Sequence, residues 1–206
     1  MSIHRLQGLF RTAWPEERTA GLQWYVHAND EVWRISNEFN LTPRVVAGVM
    51  SALSPGTPWE QSLVDTRHLL SVAELIGTGD DLFREATVTT YKSNLRKAIR
   101  ILQGEVPEQV LSGPRSFKTP IFFRNLLGDW SEPTIDSHAI NAWHGRRIVG
   151  SRLTFPREVS TKRKIRADYI RAAQSRDLTP AEFQATVWVT WKRRIDQGLV
   201  PGYSKE

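Results

Sequence analysis

Two ionisable residues in this chain have the types and spacing to do chemistry together. Lys118 opens the run KTPIFFRNLLGDWSEPTIDSH, and eighteen positions later Asp136 follows Pro-Thr-Ile and stands directly before Ser-His. A lysine amine can attack an electron-poor carbon, and a carboxylate can stabilise positive charge developing beside it. Both residues also have structural readings. Asp is a favoured N-cap for a helix beginning at Ser137. Lys118 can lay its aliphatic stem on apolar surface and keep its head in water. The residues alone leave both readings open, because an aspartate at a helix start can cap and still present an oxygen.

Other chemistries lack their residues. The chain has no cysteine, which removes disulfides, zinc ribbons and thiolate-held iron–sulfur clusters and fits an intracellular protein. The five histidines, at 4, 27, 68, 138 and 144, show no His-x-x-x-His spacing. Walker and dinucleotide-type glycine loops and the Gly-x-Ser-x-Gly elbow do not occur. No cofactor and no metal are expected. The first residues, MSIHRLQGLFRTAWPEER, carry no continuous apolar stretch and read as no signal peptide. No segment approaches the roughly 20 apolar residues of a membrane span, so a monomeric cytoplasmic protein is expected.

The charge balance permits a polyanionic partner. Lys and Arg number 28 against 22 Asp and Glu, a net charge of +6. Between Arg146 and Arg171 there are nine basic residues and two acidic ones, Glu158 and Asp168. That concentration reads as phosphate contacts, with Arg146 and Arg147 among them.

The elements that must position these side chains are helical. Leu22, Tyr25, Val26, Trp33, Ser36 and Phe39 recur on one face of a helix over 16–39. Thr42-Pro43 gives an N-cap and a first-turn proline for a helix through Val45, Val46, Val49 and Met50. Ser54-Pro-Gly-Thr-Pro58 breaks the chain before a helix from Trp59 to Leu75, and Gly77-Thr-Gly-Asp-Asp81 reads as a loop. Ser93–Gln103 carries helical spacing with Gly104 as its stop, and Thr179-Pro-Ala-Glu182 is a capping-box signature. Period-two strands and internal repeats are absent. The expectation is an all-α protein of nine or ten short helices in two lobes. Trp24, Trp33, Trp143 and Trp188 each have two readings, core or base-stacking, of which core is preferred.

Leu111-Ser-Gly-Pro-Arg-Ser-Phe-Lys-Thr119 resembles the hairpin of the helix-hairpin-helix DNA glycosylases, whose endonuclease-III-like members carry Leu-Pro-Gly-Val-Gly-Arg-Lys-Thr. In that family an apolar helix and a short loop lead to Val-Asp-Thr-His, and Thr134-Ile-Asp-Ser-His138 is similar in place and interval. Tyr91-Lys-Ser-Asn94, Gly104-Glu-Val-Pro-Glu108, Val49-Met-Ser-Ala-Leu-Ser-Pro55 and Pro180-Ala-Glu-Phe183 resemble flanking segments, so the likeness spans roughly 40–195. Two departures stand out: the turn has one residue more between Gly113 and Lys118, and Leu53 replaces the family's glutamine wedge.

The resemblance implies two helical lobes flanking a cleft, one over about 42–135 with the hairpin near 107–127, the other from 1–41 plus 136–206. It implies double-stranded DNA as partner and Asp136 as the carboxylate beside an oxocarbenium-like sugar. Lys118 matches the amine that attacks C1′ and forms a Schiff base. Leu53 and Ser54 would enter the duplex, Gly113, Arg115 and Ser116 would meet phosphate, and His138 would lie near the backbone. The expected activity is N-glycosylase, with or without lyase cleavage, on a flipped-out base. Two alternatives stay open: a base-hypermodification enzyme of the kind some phage-encoded relatives resemble, and a catalytically silent DNA-binding module.

Overall fold

The computed structural model describes residues 2–113, 116–148 and 159–201. These residues form eleven helices and no strand, so the protein is all-α. In chain order the helices are α1 (Ser2–Arg11), α2 (Pro15–Glu38), α3 (Pro43–Leu53), α4 (Trp59–Ile76), α5 (Asp80–Glu85), α6 (Lys92–Leu102), α7 (Pro107–Leu111), α8 (Thr119–Leu126), α9 (Ser137–His144), α10 (Val159–Gln174) and α11 (Pro180–Asp196). The 77–81 stretch is a loop only to Gly79, because Asp80 and Asp81 open α5 with acidic first-turn charges.

The chain divides into two compact units, Ala28–Leu127 and Met1–His27 with Gly128–Glu206. The divisions fall inside α2 and just after α8.

In the 28–127 unit, α3 packs against α4, α6, α7 and α8. Its start follows from sequence: Thr42 accepts the Val45 amide at 3.4 Å and Pro43 supplies a preset first turn. Val46, Val49, Met50 and Leu53 recur at helical spacing and are all fully buried.

In the other unit, α1, α9, α10 and α11 enclose a core of Leu6, Phe10, Ile140, Tyr169, Phe183 and Trp191. The Thr179–Glu182 capping box that opens α11 is formed in both directions.

The face of α2 differs from the expected one. Tyr25, Ala28, Val32, Ile35 and Ser36 are buried, whereas Val26 and Trp33 are exposed, Trp33 by 51%. Spacings of three and four from Tyr25 select Ala28, Val32 and Ile35, and Trp33 falls about 100° away from Val32. Trp24, Trp143 and Trp188 are each half-buried.

Candidate functional site

Lys118 ends the segment between α7 and α8 and immediately precedes Thr119, the first residue of α8. Its ammonium donates to the Ser54 carbonyl at 3.0 Å and lies 5.6 Å from the centre of the Phe122 ring. Ser54 is the C-cap of α3, so the cation meets the negative end of that helix. Thr119 is buried and donates its hydroxyl to Leu111, tying α8 back to α7.

Asp136 is the N-cap of α9. One oxygen, Oδ1, accepts the Ala139 amide at 2.7 Å, and Oδ2 has no hydrogen-bond partner among the described residues. The side chain is half-buried. Below it, Tyr169 of α10 donates its hydroxyl to the Ala139 carbonyl at 3.1 Å. Burial, reinforced by the Asp136 charge, holds that phenol well above its ordinary range. Tyr169 carries no local sequence signal toward Asp136, since the two are 33 positions apart and meet only through tertiary packing.

The remaining expected DNA contacts are placed unevenly. Leu53 is the last member of the buried α3 stripe, 0% exposed, and is not available as a wedge. Ser54 is also buried, with its hydroxyl turned back to the Ser51 carbonyl at 3.0 Å. Gly113 is exposed, but the Ser116 amide donates to the Gly113 carbonyl at 2.9 Å, so the turn consumes a donor expected to grip phosphate. Arg115 lies outside the described residues.

His138 is half-buried with its ring edge-on to Trp188, 6.2 Å between centres, and its Nδ1 is buried with no hydrogen-bond partner among the described residues. Arg146 is exposed, while Arg147 is half-buried and donates its amide to the Pro201 carbonyl at 3.3 Å. Among the described residues no three His, Asp or Glu side chains gather as a metal ion would require.

Over residues 2–195 the sequence matches the model of the Family of unknown function (DUF7178). The chain belongs to that family. Comparison with curated proteins and with solved structures found no match.

In this DUF7178 chain the positive charge is segregated. The unit of residues 1–27 and 128–206 carries 17 Lys and Arg against 11 Asp and Glu, and the 28–127 unit carries 11 against 11. The whole excess of +6 therefore sits in the unit that holds Asp136. In the neutral unit Arg34, Arg44, Arg67, Arg84 and Arg100 are all in ion pairs. In the basic one Arg163 and Lys164 of α10 are exposed and make no ion pair among the described residues. Lys162 instead turns inward, 8% exposed, and burial pushes its ammonium below the usual range. No helix of the described residues is long and apolar enough to cross a membrane.

Proposed function

We propose that this protein acts on double-stranded DNA as an N-glycosylase, with Asp136 as the charge-stabilising carboxylate and Lys118 as the amine. The observation that carries the reading is the state of Asp136. It caps α9 through one oxygen only, so a half-buried carboxylate held in a fixed orientation keeps its second oxygen uncommitted. Breaking a base–sugar bond develops positive charge on the sugar, and a preset carboxylate stabilises that charge without reorganising. Lys118 supports the reading from its own unit: its Nζ donates to the Ser54 carbonyl ahead of α8, in the interval that the glycosylase resemblance carries. A lysine attacking C1′ would extend the activity to strand cleavage through a Schiff base. Arg163 and Lys164, which make no ion pair among the described residues, are suited to phosphate.

The test is nucleoside mass spectrometry on a panel of damaged and modified duplexes, combined with borohydride trapping. Release of a free base, and a covalent adduct lost in Lys118→Ala, are the expected results. A protein that binds these duplexes and releases no base from any of them is not a glycosylase. A heavier nucleoside in place of a free base assigns the chain to base modification instead.

A further inference from the structure

The 28–127 unit contains polar groups that the glycosylase reading does not use, and Lys118, which it does use, is connected to them. The helix α4 runs for 18 residues, yet its N-cap is Pro58, which offers no side-chain cap. The first four amides of a helix lack intrahelical partners. Here the Ser62 amide bonds to the Pro58 carbonyl at 2.8 Å, and the Glu60 and Gln61 amides have no partner among the described residues.

In and near the segment that leads into this helix are hydroxyls with no partner among the described residues. Ser62 is 1% exposed, Ser51 is 0% exposed, and the oxygens of both, together with Thr57 Oγ1, are buried and unbonded. A buried hydroxyl left unbonded is costly, so three within one short stretch mark a place where a bonding partner belongs. The Cα–Cβ bond of a helical residue tilts toward the helix N-terminus, which leans Ser62 back over the unbonded amides.

A cation completes the set. The Lys118 ammonium and the Thr57 amide both reach the Ser54 carbonyl, at 3.0 and 3.4 Å. Lys118 also shares Phe122 with Trp59, the first residue of α4: the Phe122 ring centre is 5.6 Å from Nζ and 6.5 Å from the Trp59 ring centre. The ammonium thus shares an acceptor with Thr57, two residues before α4, and offsets the carbonyl end of α3. Glu60 is the one acidic residue in the first turn of α4, and its side chain is exposed.

Helix amides, hydroxyl donors and an ammonium together select a compact oxyanion with several acceptor oxygens. We infer that the start of α4, with Thr57, Ser62 and Lys118, is a phosphate-binding site. The inference rests on the DNA-acting reading only for the source of that phosphate, which would be a backbone phosphodiester near Lys118.

Thermal unfolding of the full chain tests it, with inorganic phosphate titrated against chloride at matched ionic strength. Phosphate should raise the melting temperature of the wild type beyond the chloride effect. In Ser62→Ala and in Thr57→Val the phosphate dose curve should move about tenfold to higher concentration, the worth of one charge-assisted hydrogen bond. Without phosphate both variants should be at least as stable as the wild type, because each deletes an unbonded hydroxyl. A parallel arm with a short DNA duplex assigns the source: loss of duplex affinity in the same variants makes the phosphate DNA's, and loss confined to inorganic phosphate makes it a free anion.

A phosphate effect no larger than that of chloride, or one equal in wild type and variants, overturns the site. The glycosylase reading is judged separately, by the borohydride adduct at Lys118. An adduct without a phosphate effect therefore sinks the site and leaves the activity standing.

Discussion

Tyr169 donates its hydroxyl to the Ala139 carbonyl at 3.1 Å, while the Ala139 amide donates to Asp136 at 2.7 Å, so one residue of α9 joins the buried phenol to the capping carboxylate. Removing the hydroxyl deletes a second bond to a carbonyl that α9 already engages within the helix. Tyr169→Phe should therefore destabilise the protein by about 0.5–1.5 kcal/mol at neutral pH, the net worth of one hydrogen bond. The phenol is held above its ordinary pKa of about 10, so the folded state keeps a proton that the unfolded state releases. Its contribution is complete below that value and declines as pH rises above it. Urea unfolding should show the gap between wild type and Tyr169→Phe narrowing above pH ~10. A gap independent of pH would remove the coupling.

Gly21 marks the closest approach of α2 to α11. A Cβ there would lie 2.4 Å from both Cα and Oγ1 of Thr186, and backbone cannot yield as a flexible side chain can. Gly21→Ala should cost about 3 kcal/mol, at the upper end of overpacking penalties. Gly8, in α1, has nothing within 4 Å of the same added atom. Gly8→Ala should instead stabilise by about 0.5–1 kcal/mol through helix propensity. Chemical denaturation of the two variants decides whether helix packing, and not glycine content as such, sets the requirement.

Local signals located the helix starts well, because capping is encoded within four residues. Thr42-Pro43, Thr179 to Glu182, and Asp136 before Ser-His each read as a helix start and each is one. Facing direction was less legible. Trp33 is apolar and in phase with an apolar helix, yet it is exposed, since α2 carries large apolar residues on more than one side. Leu53 reads as a wedge only through the resemblance, and the packing of α3 against its neighbours puts it in the core. The orphaned hydroxyls of Ser51, Thr57 and Ser62 have no sequence signature at all, because a missing hydrogen bond exists only in three dimensions.

His144, in the last turn of α9, has its pKa lowered by burial first and by Arg146 and Arg5 next. A depressed histidine favours its neutral form in the folded state. That stability is present above the ordinary value of about 6.5 and is lost as pH falls through the folded value. Melting temperatures taken from neutral to mildly acidic pH should fall less steeply for His144→Gln than for the wild type. Parallel curves would show that protonation of His144 is not linked to folding.

The charge segregation sets a direction for the proposed DNA binding. Each phosphate neutralised by a cation adds close to one unit to the slope of log affinity against log salt. Arg163→Ala combined with Lys164→Ala should lower that slope by up to about 2 and weaken binding across sequences. Lys92→Ala combined with Lys97→Ala, in the neutral unit, should leave the slope unchanged. Fluorescence anisotropy over a salt series measures both, and the reverse pattern would place the phosphate contacts on the 28–127 unit.

The capping role of Asp136 can be separated from the catalytic role proposed for it, because asparagine caps a helix about as well as aspartate does. Asp136→Asn should keep the bond to the Ala139 amide and stay within about 0.5 kcal/mol of wild-type stability. Asp136→Ala should lose about 1 kcal/mol with the cap. Base release should fall by a factor on the order of 100–1,000 in both variants, since both delete the charge that faces the developing cation. The asparagine variant is the decisive one: a stable protein that releases base at the wild-type rate would leave Asp136 as a cap and nothing more.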